Sequence, residues 1–268
     1  MTHPTHPTSP TTRRNVLRGT VAAAALAATT AAPTGAAQAA PAGTAPAGAK
    51  GRSGPSIGIL LFNGYSMLDP TGPAEVLSRM PDATVTMIAE QRGPVRTDTG
   101  DVALVAERSL AEAGRLDVLL VSGGGNRGMA EALENQTLLD FIREAHRHTV
   151  WTTSVCSGGL LLAAAGLLKG RKAAVHWAAA EQLEKRFGVT YVPQRYVRSG
   201  KIITSGGVSA GVDMSLYLAS LIAREDTARA IQLALEYDPQ PPFDSGNAAE
   251  ASDELKRRAL ELLAASEV

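Results

Sequence analysis

Cys156 is the single cysteine of the 268-residue chain, and Ser157, Gly158 and Gly159 follow it directly. A lone cysteine is ordinarily a small buried hydrophobe. Here the flanking residues argue for chemistry. Residues 149–155 are rich in β-branched and aromatic side chains and predict a buried strand. Residues 160–168, dense in Leu and Ala, predict an apolar helix packed on a sheet. A strand that turns straight into a helix at a nucleophile needs small residues just past the turn, because glycine lets the backbone bend sharply and a ligand approach closely. Such a turn leaves the sulfur at a helix N-terminus, where unpaired N–H groups and the helix dipole favour thiolate. The same N–H groups could hold negative charge developing on a substrate.

A thiol nucleophile needs a partner that moves protons. Asp69 stands in Met67-Leu68-Asp69, just past the first expected strand, with Pro70 and Pro73 shaping a helix entry. Open α/β sheets carry their sites beyond the carboxyl ends of strands, although an aspartate there also serves as a helix N-cap. Residues 122–128, Ser-Gly-Gly-Gly-Asn-Arg-Gly, follow another expected strand. The loop lacks the Gly-Lys-Ser/Thr of a P-loop and the GxGxxG spacing, so it reads as a backbone donor loop facing Cys156 rather than a phosphate cradle. Of the histidines beyond residue 6, His146 and His148 point different ways from a helix end, and His176 reads as a packed or surface residue. No cluster has metal-ligand spacing, so no metal is expected.

The elements that must position these groups alternate. Strands are predicted at 56–62, 83–89, 116–121, 149–155 and 171–175, with an antiparallel pair within 95–105 and a hairpin of 191–197 with 201–204. Helices are predicted around 129–133 and at 138–148, 160–168, 177–187, 206–224, 227–237 and 250–265. Ser209 would cap the helix over 206–224, with Asp213 structural in its first turn. Alternating strands and helices imply one doubly wound α/β domain with a mostly parallel sheet, flavodoxin-like, over residues 56–268.

Residues 1–50 carry four basic residues (Arg13, Arg14, Arg18, Lys50) and no acidic ones, leaving 22 basic against 26 acidic in the rest. A mildly acidic body without a basic stripe argues against nucleic acid as a partner. Thr12-Arg13-Arg14-Asn15-Val16-Leu17-Arg18, a short alanine-rich run and Ala37-Gln38-Ala39 read as a twin-arginine-type signal over residues 1–39. A disordered tether over 40–55 would follow it. The apolar run is shorter than the roughly 20 residues that span a bilayer. Export to the periplasm or beyond is the expectation, without stable membrane association.

With these residues assembled, the body resembles the PfpI-like (class I glutamine-amidotransferase-like) superfamily, and within it the isocyanide hydratases. The resemblance rests on Met67-Leu68-Asp69 with Thr71-Gly72-Pro73, on Ser154-Val155-Cys156-Ser157-Gly158 with Ala164-Ala165-Gly166-Leu167-Leu168, and on His176-Trp177-Ala178. It continues through residues 206–211 with Asp213 and residues 232–237 leading to Pro241-Pro242-Phe243. It implies a cofactor-free hydration of an isocyanide, R–N≡C, to an N-substituted formamide, with Cys156 as nucleophile, Asp69 as general acid/base, and a homodimer. Backbone N–H groups near Gly124 and Ser157 would hold developing charge. Ser157 stands where the hydratases usually carry threonine. Glu75 stands where related non-hydratase members carry a glutamate beside their cysteine, so it competes with Asp69. Superfamily proteases place a histidine directly after the cysteine, which Ser157 replaces here. Glyoxalase- or deglycase-like carbonyl chemistry, a cysteine-based redox sensor and, more remotely, a ligand-sensing regulator domain stay open on the same fold.

Overall fold

The computed structural model describes residues 54–268. The expected signal and all but the last two residues of the expected tether lie outside them. The chain runs β1 (Ser56–Leu60), α1 (Leu68–Leu77), β2 (Thr84–Ala89), β3 (Gly93–Arg96), β4 (Ala103–Ala106), β5 (Arg108–Ser109), β6 (Val118–Val121), α2 (Asn126–Glu134) and α3 (Gln136–His148). It continues with β7 (Trp151–Ser154), α4 (Gly158–Ala164), β8 (Lys172–Ala173), α5 (Ala180–Phe187), β9 (Thr190–Tyr191), β10 (Tyr196–Ser199), β11 (Ile202–Ser205), α6 (Ala210–Ala223), α7 (Glu225–Ala234) and α8 (Asp253–Ser266).

Seven strands form the central sheet in the order β10-β11-β7-β6-β1-β2-β5. Every pairing in it is parallel except β10 with β11. The apolar runs of β1 and β6 suit central strands, whose two faces are both covered. Alternate side chains feed two cores. On one face Leu60, Leu119 and Val121 meet Leu139 and Ile142 of α3 and Leu161 of α4. On the other, Ile57, Ile59 and Leu120 meet Val76 of α1 and Met214 and Leu218 of α6. Each fully buried Leu or Ile contributes about 1.5–3 kcal/mol, which holds the strand ends that carry the site in place.

The doubly wound architecture is as the sequence indicates, and so is the antiparallel pair β3–β4. Three local expectations differ. The strand expected at 171–175 is reduced to β8, which pairs in parallel with β9 outside the main sheet. The hairpin is correspondingly shorter, because Tyr191 belongs to β9 and β10 begins only at Tyr196. The helix expected from Gly206 begins at Ala210. Ser209 does not cap it; its hydroxyl accepts a hydrogen bond from Arg195 instead. Residues 206–209 are drawn out of the helix by contacts at Cys156.

Candidate functional site

The turn expected at Cys156 is present. β7 ends at Ser154 and α4 begins at Gly158, so three residues reverse the chain. Cys156 sits in the left-handed region at φ 60°, a conformation that costs a non-glycine residue about 1–3 kcal/mol and persists only where surrounding contacts enforce it. Those contacts are specific. The Val155 amide donates to the Val121 carbonyl at 3.0 Å, and the Cys156 amide donates to the carbonyls of Ser205 at 3.2 Å and Gly206 at 2.9 Å. Gly158 passes so close to β6 that a Cβ there would lie 2.4 Å from the Val121 carbonyl oxygen.

Asp69 reaches the thiol from the first turn of α1 rather than from a cap, since Met67 holds the N-cap position. Its side chain is fully buried. Oδ2 accepts the Gly123 amide at 2.9 Å, whereas Oδ1 has no hydrogen-bond partner among the described residues. Burial pushes this carboxyl up from 3.8 to about 7, with the Gly123 amide and a hydrogen bond with the Cys156 thiol opposing the push. Its partner moves the same way. Burial and then the charge of Asp69 push the Cys156 thiol far above the usual cysteine range, against amide contacts from Ser157 and Val208. The expected bias toward free thiolate is thus met by an opposing effect of burial. Desolvation beside a carboxylate opposes the helix N-terminus, and both groups are pushed toward their protonated forms.

The glycine loop packs against this pair. A Cβ at Gly123 would fall 2.6 Å from the Ser157 nitrogen and 2.8 Å from Asp69 Oδ2, so only glycine lets the loop approach both. The Gly124 amide donates to Ser157 Oγ at 2.9 Å, and that hydroxyl donates back to the Gly124 carbonyl at 3.1 Å. Gly124 is thus committed to positioning Ser157 and is not a free oxyanion donor. The Ser157 amide faces the sulfur. Two hydrogen bonds also fix the hydroxyl that lacks the methyl of threonine. Glu75 does not join the site: it lies exposed on the outer face of α1, paired with Arg79.

Three participants escape a reading of local sequence. Asp98, between β3 and β4, accepts a hydrogen bond from Ser66 Oγ at 2.7 Å, and its charge adds to the upward push on Asp69. It lines the cavity and acts on Asp69, next to an isolated bridge between Tyr65 and Thr97. Val208, with φ 33°, turns its amide toward the sulfur. His176, packed on Gly207 and Trp177 as a packed histidine would be, also lines the cavity that Cys156 opens onto. Its Nδ1 accepts the Ala178 amide at 3.3 Å, which places the proton of the neutral ring on Nε2, and burial lowers its pKa. The sequence signal for that contact was the glycine pair: a Cβ at Gly207 would lie 2.6 Å from the imidazole.

Cys156, Ser157 and Asp98 open onto a cavity of about 620 Å³, within the range that binds small organic molecules. Among the described residues no group of three or more His, Cys, Asp or Glu could hold a metal ion, and no helix is long and apolar enough to cross a membrane.

The chain is 42% identical over 207 residues to an isonitrile hydratase of Pseudomonas putida, covering 76% of this chain and 89% of that protein. The crystal structure of a THiJ/PfpI family protein from Pseudomonas syringae superposes with a TM-score of 0.74 at 33% identity, over 79% of this chain and 86% of that one. Drosophila melanogaster DJ-1beta shares the fold, with a TM-score of 0.62 at 22% identity over 68% of this chain and 98% of its own. A sequence model described as the DJ-1/PfpI family matches residues 55–221, and the chain belongs to that family.

Proposed function

We propose that the protein hydrates an isocyanide to an N-substituted formamide. The observation that carries the reading is the fully buried Asp69 carboxyl set against Cys156, whose thiol lines the cavity. The isonitrile hydratase relative supports it. Asp69 accepts the thiol proton as sulfur attacks the terminal carbon of R–N≡C, and it returns that proton to the same carbon, giving a thioimidate, Cys–S–CH=N–R. Asp69 then deprotonates a water that adds to this carbon, nitrogen takes up a proton, and the C–S bond breaks. R–NH–CHO leaves and the thiol is regenerated. The sum is R–N≡C plus water. A carboxyl near 7 suits both proton transfers at neutral pH, and the amides of Ser157 and Val208 stabilise the sulfur when it carries charge.

A redox-sensor role fits less well, because a thiol held protonated reacts slowly with peroxide. Export by a twin-arginine signal and a homodimeric state complete the proposal. Both rest on sequence resemblance and are checked by cell fractionation and by analytical ultracentrifugation. The activity is tested by incubating purified protein with cyclohexyl isocyanide and following formamide release, with Cys156→Ala and Asp69→Asn alongside. Turnover in the wild type that disappears in both variants supports the reading. An inert wild type, with Cys156 still modified by a thiol reagent, sinks it and moves the search to carbonyl substrates.

A further inference from the structure

The cavity above Cys156 is closed on one side by α8, which lies beyond the stretch matched by the family model. Leu260, Leu263 and Ala264 line it, a spacing that puts all three on one helical face. Met129 and Leu133 of α2 and Leu160 of α4 supply further apolar wall. Yet none of the 14 residues of α8 is buried, so little apolar packing fixes the helix. Polar contacts from the two residues that follow it do so instead. The Glu267 carboxylate accepts the Asn126 amide at 2.9 Å, Asn126 Nδ2 at 3.0 Å and the Arg127 amide at 3.4 Å. These are N–H groups at the start of α2, where a carboxylate is favoured by the helix dipole. The Val268 amide donates to the Asp98 carbonyl at 3.1 Å, and its side chain packs on Gly100, where a Cβ would approach it to 2.6 Å. The fastening therefore engages the two loops that also hold the acid and the nucleophile: Asn126 directly follows the glycine loop, and Asp98 faces Asp69.

We propose that α8 is a latched wall of the substrate cavity: Leu260, Leu263 and Ala264 select isocyanides with an extended apolar substituent, and Glu267 on Asn126 and Arg127 holds that wall in place. The selection rests on the hydratase reading, with the isocyanide carbon at Cys156 and the substituent R lying between α8 and α2. A polar latch on a lightly packed helix is also a means of admitting such a substituent, since breaking a few exposed hydrogen bonds costs far less than unpacking a core.

Leu263→Trp and Leu263→Ala test the wall, with the ratio of kcat/KM for cyclohexyl over methyl isocyanide as the readout. The tryptophan should lower that ratio by about tenfold and the alanine should shift it detectably, as expected for changes of pocket volume at an apolar contact. An unchanged ratio in both overturns the proposal. The same variants are read by the relative rates at which N-cyclohexylmaleimide and iodoacetamide modify Cys156, which requires no hydratase activity. If the wild type hydrates no isocyanide, the activity reading fails by itself. The reagent ratio then decides whether α8 is a wall of the cavity, a change keeping it and no change removing it. Glu267→Ala tests the latch: amide hydrogen exchange in α8 should rise about tenfold while exchange in β6 and β7 is unmoved. Unaltered exchange in α8 overturns the latch.

Discussion

The two sides of the cavity are built on different principles. The floor is over-determined: Cys156 is held in a left-handed conformation by two carbonyls, Asp69 is sealed in the core, and Ser157 is tied twice to Gly124. The roof is a helix without a buried residue, fastened by polar contacts from Glu267 and Val268. Proton transfer between a thiol and a carboxyl fails if either moves by a fraction of an ångström. Admission of a substrate requires that something give way. Rigidity and looseness are thus assigned to separate parts of the chain, and a substitution should report which part it touches.

The largest effect is expected at Gly158. An alanine there drives its Cβ into the Val121 carbonyl, and the conflict is with backbone, which cannot rotate away. Gly158→Ala should cost about 3 kcal/mol of stability, at the upper end of overpacking penalties, and abolish turnover. Differential scanning calorimetry with an activity assay measures both. Leu263→Ala in the roof should leave Tm within about 2 °C of wild type, the shift expected of a change well under 1 kcal/mol. Equal losses of stability at the two positions would erase the distinction between floor and roof.

Asp69→Asn comes next and separates chemistry from scaffold. Burial raises this carboxyl from 3.8 to about 7, so the folded protein favours its neutral form. The stabilisation is whole below the unfolded value near 4 and is lost as pH rises through about 7. An uncharged asparagine has no such dependence. Relative to it, the wild type should lose up to about 4 kcal/mol between pH 4 and 8, at 1.36 kcal/mol for each pH unit of displacement. Denaturant unfolding of both proteins across that range reads the difference. In the wild type kcat/KM should rise through about pH 7, as the pair passes from two protons to one, and then level off. Parallel stability curves would show that Asp69 titrates normally and would remove the argument that burial raises it.

How much of this was legible in the sequence follows from how local each cause is. The β7–Cys156–α4 turn and the doubly wound sheet were readable, because strand composition, small residues after the cysteine and strand-helix alternation all act over short spans. Asp69 was placed by its position past β1, but its helical setting and its burial were not, since both depend on how α1 packs against the sheet. Glu75 shows the cost of reading position alone: six residues from Asp69 along the helix, it faces solvent and pairs with Arg79. The places of Asp98, Val208 and His176 in the site were hard to read for a common reason. Each reaches the site through a long-range bridge, an unusual φ angle or a cavity wall, and of these only the wall at His176 leaves a local trace, the glycine pair it packs on. The roof was foreseen only as a charged final helix.

Within the floor, Ser157→Ala should be milder. It strips the partner from the Gly124 amide and carbonyl, a loss of about 1–3 kcal/mol if water does not replace the hydroxyl. The main readout is kcat, expected to fall about tenfold as the glycine loop loosens beside Asp69, equivalent to about 1.4 kcal/mol of barrier. Ser157→Thr restores the hydroxyl and should recover most of the rate. A threonine variant as slow as the alanine would show that the hydroxyl is not what positions the loop.

Asp98→Asn should have the smallest effect and the most specific one. The substitution keeps Oδ1 for the Thr99 amide, lets the Ser66 hydroxyl turn to accept from the new amide nitrogen in place of Oδ2, and leaves untouched the backbone carbonyl that receives the Val268 amide. Structure at the floor and the latch at the roof should both persist, so Tm and the cyclohexyl-to-methyl ratio should be unchanged. What disappears is a like charge that helps keep Asp69 protonated. The rise in kcat/KM should therefore move to lower pH, by about half a pH unit for a partly exposed like charge, with the same plateau. A shift toward higher pH, or a lowered plateau at unchanged midpoint, would mean that Asp98 acts through the loop's geometry and not through its charge. The floor would then extend to residues exposed to the cavity, and the boundary between its rigid and loose sides would lie closer to α8.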